Sequence, residues 1–255
     1  MGLIRNIGKS INNLFIKESS VKECVEQPNE EINENIEQQP INESISIEEN
    51  KNNQTTNMNS NITVILGTAH AASTPGKRSP DGKFREYAWS RKMCKMVKTR
   101  LIELGINCII DIEEDEEISL KNRVSIVNAI CAEKGVKNCI YVSIHNNAAA
   151  NGTWANARGF SIWIYEKASQ KSKDLALSIF NEAEKSKLLG NRSVPSTKYH
   201  TSNFYVCKNT ACPAVLTENL FQDNKEDVAY LESDEGMSTI CNMHVNGIIN
   251  YINSL

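Results

Sequence analysis

Apolar runs of strand length alternate with amphipathic helical segments along residues 61–255, and this alternation constrains the fold more than any other feature of the chain. The first run, ITVIL at residues 62–66, has the length and β-branched composition of a buried strand. It is followed by EYAWSRKMCKMVKTRLIELG, whose apolar side chains recur at helical spacing up to a terminal Gly105. Such alternation predicts one α/β domain with a mostly parallel sheet covered by helices.

The same alternation continues to the end of the chain. Further strands are predicted at INCIIDI, NCIYVSI, GFSIWIY, NFYVCK and PAVLTE. Further helices are predicted at residues 119–135, at KDLALSIFNEAEKSKLLG and at MSTICNMHVNGIINYI. In the first of these helices Ser119 is the expected N-cap, and Leu120, Val124, Val127 and Ile130 are expected to face the core.

Residues 1–60 have a different character. Residues 1–17 place apolar side chains at roughly helical spacing between Arg5, Lys9 and Lys17, which predicts a short amphipathic segment that docks on a protein surface or touches a membrane. Its charges interrupt any apolar core of a secretory signal. Residues 18–60 are rich in Glu, Asn and Gln and cannot bury enough apolar surface to offset their ordering entropy, so we predict a disordered acidic linker.

The charge balance argues against a nucleic-acid binder, and the cysteine usage argues against a disulfide-stabilised scaffold. The formal net charge is −3, of which residues 1–60 carry −5 and residues 61–255 carry +2, so neither part of the chain has the basic balance of a nucleic-acid binder. The eight cysteines form no CxxC pair, and most lie in apolar runs, where a reduced Cys packs as a small hydrophobic side chain. We therefore expect reduced thiols and synthesis in the cytoplasm.

Polar side chains stand where the predicted strands end, and ligands of open α/β sheets bind at that edge. The runs ITVILGTAH, CIYVSIH and PAVLTE end on His70, His145 and Glu218, and the first helix begins at Glu86. Two imidazoles and one carboxylate form the ligand set of a catalytic Zn²⁺, and a spare carboxylate can transfer protons. The residues are 16, 59 and 73 positions apart, too far for a local HExxH motif, so the prediction depends on the topology.

Several of these segments also resemble a known family. ITVILGTAH, REYAWS, LKNR, YVSIHNN and PAVLTENLFQDN, in this order, resemble the zinc-dependent N-acetylmuramoyl-L-alanine amidases of the type-3 family, which includes cell-division amidases and many phage endolysins. The resemblance covers residues 61–255. It implies a twisted six-stranded sheet with surrounding helices, a single Zn²⁺, and peptidoglycan as the substrate, cleaved at the amide between the lactyl group of muramic acid and L-alanine.

The resemblance assigns roles to the same four residues. His70 and His145 match the family's zinc histidines, Glu86 matches the zinc carboxylate, and Glu218 looks like the catalytic glutamate. Two departures from the family pattern stand out. Alanines flank His70 where the family has glycines, and Asn219 replaces the usual glycine after the final glutamate.

Three further residues are candidates for substrate binding: His200, Asn147 and Arg123. His200 lies in KYHTSNFYV, ahead of a predicted strand, and either helps to bind substrate or is a plain loop residue. Asn147 either orients substrate or turns the chain. Arg123, in LKNR, is expected to brace the site rather than react, and His244 in the last helix is expected to be structural.

Two other functions remain open at this level. One is a catalytically silent wall-binding or regulatory module, which the altered residues around His70 and Glu218 favour. The other is a zinc peptidase that cuts the stem peptide. We expect the protein to be a monomer without nucleic-acid partners. We also expect it to be made in the cytoplasm without a signal peptide and to act on the cell wall as a phage lysin released through a holin.

Overall fold

The computed structural model describes residues 61–255, so the predicted amphipathic segment and acidic linker lie outside the described residues. Six strands are described: β1 (Thr63–Thr68), β2 (Asn107–Ile110), β3 (Cys139–Asn147), β4 (Ser161–Tyr165), β5 (His200–Ser202) and β6 (Ala214–Phe221). The helices are α1 (Glu86–Glu103), α2 (Leu120–Lys134), α3 (Gln170–Lys185), α4 (Tyr205–Asn209), α5 (Lys225–Glu232) and α6 (Asp234–Asn253). None of these helices is both long and apolar enough to cross a membrane.

The strands form one sheet in the order β2-β1-β3-β6-β4-β5. Neighbouring strands are parallel from β2 through β1 and β3 to β6, whereas β4 is antiparallel to β6 and parallel to β5. The carboxyl ends of β1, β3 and β6 therefore meet at one edge of the sheet. The predicted fold, a mostly parallel six-stranded sheet flanked by helices, is confirmed.

Both faces of the sheet are covered, which explains why β1 is buried along its whole length. Val64 and Leu66 belong to a large apolar layer shared with α1, α3, α5 and α6, and Ile65 belongs to a smaller layer shared with α2 and α4. Side chains alternate between these layers because successive residues of a strand point to opposite faces. The cysteines among the described residues are free and buried, in agreement with the predicted reduced core.

Two local predictions are wrong. NFYVCK was expected to be a strand, but the strand is His200–Ser202 and the following residues form α4. Val206 and Cys207 are both buried in the smaller layer, and adjacent residues can share one buried side in a helical turn but not in a strand. Leu120 was expected in the core, but it is 54% exposed because the first residue of α2 lies at the mouth of a surface cavity.

Candidate metal centre

The carboxyl edge of the sheet brings the predicted metal ligands together. His70 follows β1 by two residues, Glu86 is the first residue of α1, and His145 lies near the end of β3. One ligand atom from each of the three lies within 4.8 Å of the other two. Glu218 is the partner of His145 in the register between β3 and β6. Both strands continue past these two residues, so His145 and Glu218 lie within their strands instead of following them.

The Glu86 carboxylate is the centre of this cluster. Its Oε1 atom lies 3.4 Å from His70 Nε2 and 3.1 Å from His145 Nδ1, and it accepts a hydrogen bond from the Asn146 backbone N–H at 3.1 Å. The two imidazole rings meet edge to face, with centroids 5.1 Å apart. The other carboxylate oxygen of Glu86, Oε2, is buried and has no hydrogen-bond partner within residues 61–255.

The electrostatics of the cluster favour a metal cation. Burial alone would raise the pKa of Glu86, but hydrogen bonds with His145 and His70 hold that pKa well below its ordinary value, so the carboxylate is ionised. Burial lowers the pKa of His145, which keeps the imidazole neutral and able to act as a ligand. Two imidazoles and one carboxylate with an orphaned buried oxygen are therefore a donor set that fits a divalent metal ion.

Glu218 lies beside these ligands in a cavity of about 210 Å³. Burial and the negative charge of Glu86 raise the pKa of Glu218 to about 8, and the positive charge of Lys77 partly offsets them. The Oε2 atom of Glu218 is buried and has no hydrogen-bond partner within the described part of the chain. A carboxyl group with such a pKa can take up and return a proton near neutral pH.

The turn that carries His70 is strained and is held by α1. His70 has a φ of +45°, a left-handed conformation that is costly for a residue with a Cβ atom. Arg91 donates to the carbonyls of Ala69 and His70, each at 3.1 Å, and the Ala69 N–H donates to Ser90 Oγ at 2.8 Å. Sequence reasoning missed this clamp. Its available signal was that Ser90 follows Glu86 by four residues, which places both on one face of α1.

His145 is held by its neighbours on β3 and β6. Ser143 Oγ lies 3.0 Å from Nε2, the ring nitrogen that does not face Glu86. Asn219 donates from Nδ2 to the His145 carbonyl at 2.9 Å and to Thr217 Oγ1 at 3.0 Å. The residue that replaces the family's usual glycine therefore ties the two strands together at the centre.

Arg123 belongs to a buried network under the cavity. Its Nη1 atom lies 2.7 Å from Asp111 Oδ2, and Tyr141 donates its hydroxyl proton to the same oxygen at 3.0 Å. Asp111 Oδ1 accepts the Thr68 backbone N–H at 3.0 Å, which fixes the end of β1 just before His70. Arg123 lines the cavity while its charge is paired with Asp111, a geometry that favours the predicted bracing role.

The other two candidates make contacts of a different kind. Asn147 Oδ1 accepts the Ala148 N–H at 2.9 Å, which is a local turn contact. His200 is the first residue of β5, not a loop residue ahead of a strand, and its ring stacks on Trp163 with centroids 4.5 Å apart. Neither is among the residues lining the cavity of Glu218, so their contact with substrate stays a prediction.

The fold and this centre together define an α/β domain with two histidines and one glutamate gathered as a candidate metal site at the carboxyl edge of its sheet. The N-acetylmuramoyl-L-alanine amidase family matches residues 64–250, and the chain belongs to this family. The family predicted from the sequence is confirmed.

Individual relatives agree with this assignment. The chain is 29% identical over 168 residues to the endolysin of Bacillus phage SPP1, covering 64% of this chain and 55% of the endolysin. It is 24% identical over 189 residues to the sporulation-specific N-acetylmuramoyl-L-alanine amidase of Bacillus subtilis, covering 73% of this chain and 67% of that protein. The chain thus spans about half the length of the phage endolysin and two thirds of the sporulation enzyme.

Solved structures share the fold. The crystal structure of N-acetylmuramoyl-L-alanine amidase from Clostridium difficile 630 superposes with a TM-score of 0.66 at 24% identity, covering 76% of this chain and 97% of that chain. The catalytic domain of CwlV, an amidase from Bacillus (Paenibacillus) polymyxa var. colistinus, gives a TM-score of 0.62 at 22% identity, covering 74% and 97% of the two chains.

Proposed function

We propose that this chain hydrolyses the amide bond between the lactyl group of N-acetylmuramic acid and L-alanine in peptidoglycan. The observation that carries the proposal is the gathering of His70, Glu86 and His145 within 4.8 Å of one another, with Glu218 in the same cavity. Membership of the amidase family supports this choice of bond.

His70, Glu86 and His145 would hold one Zn²⁺, which has the ligand preference for two imidazoles and one carboxylate. When bound, such an ion lowers the pKa of a coordinated water to about 7 and polarises a carbonyl oxygen. The pKa values of Glu86 and His145 are both depressed, Glu86 by its hydrogen bonds with the histidines and His145 by burial, so both ligands are in the protonation state that a metal needs.

Glu218 moves the proton. Its carboxylate accepts a proton from the water that attacks the lactyl carbonyl carbon. The same carboxyl then gives that proton to the L-alanine nitrogen as the C–N bond breaks. The products are a free lactyl carboxylate on the sugar and a stem peptide with a free amino terminus, and Glu218 returns to its starting form.

The walls of the cavity suit this substrate. Apolar side chains line the cavity together with the metal ligands and can cover the sugar and the alanine methyl group. They are Ile118, Leu120, Phe204, Tyr205, Val206 and Leu216. Asp111 and Arg123 brace the floor of the cavity in this proposal. For Asn147 and His200 the predicted substrate contacts remain predictions.

The test is digestion of purified cell walls by the Zn²⁺-loaded protein. Amidase action releases L-alanine amino termini and creates no new reducing sugar ends. Glu218→Ala should retain zinc and lose wall lysis, and His145→Ala should lose zinc. New reducing ends with unchanged amino groups would contradict the proposal, and so would product masses that place the cut on the other side of L-alanine, where a stem peptidase acts.

The setting is part of the same proposal. We propose that the chain acts on the wall as a monomeric lysin that reaches it through a holin, a role supported by the similarity to the SPP1 endolysin. Expression in a host cell with and without a holin tests it. Lysis that needs both proteins is expected, and lysis by the chain alone would contradict this route.

A further inference from the structure

One positively charged side chain in the cavity forms no ion pair with the other residues that the structure describes. The basic residues that line it are Lys77 and Arg123, apart from the two histidines. Arg123 is paired with Asp111, and the nearby Glu117 accepts a hydrogen bond from Thr74. Lys77 forms no ion pair or side-chain hydrogen bond within residues 61–255, so its ammonium is available to a ligand in the cavity.

An ordered loop presents this lysine. The Lys77 carbonyl accepts the backbone N–H of Glu86 at 3.2 Å, which anchors the lysine directly to a metal ligand. The loop is closed by an antiparallel bridge between Arg78 and Arg85 and by Ser79, whose hydroxyl accepts the Phe84 N–H at 3.0 Å. The stretch KRSPDGKFRE therefore holds a cation at a set place beside the metal site.

The substrate offers a carboxylate at a matching distance. The second residue of the stem peptide is a glutamate linked through its side chain, which leaves its α-carboxyl either free or amidated. At about 3.5 Å per extended residue, this group lies on the order of 7 Å from the scissile nitrogen. A cavity of 210 Å³ is roughly 6 Å across, so a stem bound for cleavage brings that group towards Lys77.

We propose that Lys77 is a specificity residue that pairs with the free α-carboxylate of the second stem residue, so that the chain prefers stems in which this carboxylate is not amidated. The inference rests on the proposed amidase function. The charge of Lys77 also lowers the pKa of Glu218. If this were the only role of Lys77, its replacement would affect the cleavage of both kinds of stem equally.

The experiment compares two synthetic N-acetylmuramoyl tripeptides that differ only in amidation of this carboxyl group. For the Zn²⁺-loaded full chain, kcat/KM should be about tenfold higher for the free acid, mainly through KM, as expected for one partly desolvated ion pair. Lys77→Gln should lose the preference by slowing cleavage of the free acid about tenfold more than that of the amidated stem, and Lys77→Arg should keep most of it. Lys83→Gln removes an exposed lysine of the same loop and should behave as wild type.

The outcomes separate this inference from the function on which it depends. Equal cleavage of both tripeptides by the wild type overturns the role of Lys77 and leaves the amidase proposal standing. An equal loss of kcat on both substrates in Lys77→Gln also overturns it, in favour of an effect through Glu218. A wild type that binds zinc and cleaves neither substrate overturns the proposed function and this inference with it.

Discussion

Arg91 is predicted to hold the metal site together without touching the metal. The guanidinium is buried and donates through Nη1 to the carbonyls of Ala69, His70 and Tyr87, at 3.1, 3.1 and 3.2 Å. Arg91→Met keeps much of the aliphatic bulk and removes every one of these donors. The change keeps the packing of α1, but it also removes the contacts of Arg91 with the Glu114 carbonyl and with Asp115.

The magnitude follows from two costs. A hydrogen bond to a charged group contributes about 1.5–3 kcal/mol, so losing the two that hold the turn should lower the free energy of unfolding by roughly 3 kcal/mol. The left-handed φ of His70 costs about 1–2 kcal/mol, and without Arg91 fewer contacts oppose its release, among them the bond from the Ala69 N–H to Ser90 Oγ. Because 1.4 kcal/mol is a factor of ten, the fraction of chains with His70 in place should fall to about one tenth. The Kd for Zn²⁺ should then rise about tenfold.

The assay is a competition titration with a zinc chelator, paired with urea unfolding of the metal-free protein. Lys92→Met, at the next and exposed position of α1, is the matched control and should change neither quantity. At saturating zinc the Arg91→Met variant should recover most of its activity, because the ligands themselves are intact. A variant that loses stability while its zinc affinity stays unchanged would refute the clamp as the reason that His70 holds its conformation.

Three more predictions follow from buried contacts. Ser143→Ala removes the hydroxyl beside His145 Nε2 that orients the ring, so it should weaken zinc binding about tenfold. The free energy of unfolding in urea should change little. Unchanged zinc affinity in the chelator titration would contradict this prediction. Asp111→Asn should lower the free energy of unfolding by about 3–5 kcal/mol, since it leaves the buried charge of Arg123 uncompensated, and a loss under 1 kcal/mol in urea would contradict it. Burial lowers the pKa of His244 to about 4. In the unfolded chain this imidazole takes up its proton near the ordinary pKa of 6.5, so the folded state loses about 3 kcal/mol of stability from this group as the pH falls from 7 towards 4. The measurement is urea unfolding at several pH values. The His244→Gln variant should lack this part of the pH dependence of the free energy of unfolding.

The four central residues of the site could be predicted because each stands at the end of a recognisable local pattern. His70, His145 and Glu218 follow apolar runs that only a strand explains, and Glu86 opens a helix whose apolar spacing is regular. Topology then does the rest, since parallel strands deliver their carboxyl ends to one edge. The observed sheet order, which the sequence did not predict, places β1, β3 and β6 side by side, as the metal cluster needs.

The supports of the site could not be predicted, because they depend on contacts between distant segments. Ser90 donates to the carbonyl of Ile144 across 54 residues, and Asn219 reaches His145 across 74. No local pattern encodes either pairing. The misassigned strand at residues 203–208 has the same origin: Phe, Tyr, Val and Cys favour a strand locally, but burial of Val206 and Cys207 on one side stabilises a helical turn instead.

The two departures from the family pattern now have physical explanations, and these weaken the alternative of a catalytically silent module. Alanines beside His70 do not carry the left-handed backbone; His70 itself does, and Arg91 and Ser90 hold it from α1. Asn219 has less backbone conformational freedom than a glycine, but its side-chain amide donates a hydrogen bond to the His145 carbonyl and so links β3 to β6. Both changes thus leave the ligand atoms gathered, and Asn219 adds a side-chain bond beside them. A scaffold that had lost its chemistry would have no reason to keep a buried, ionised Glu86 whose Oε1 faces two histidines and whose Oε2 has no partner among the described residues, because an uncompensated buried charge destabilises the fold.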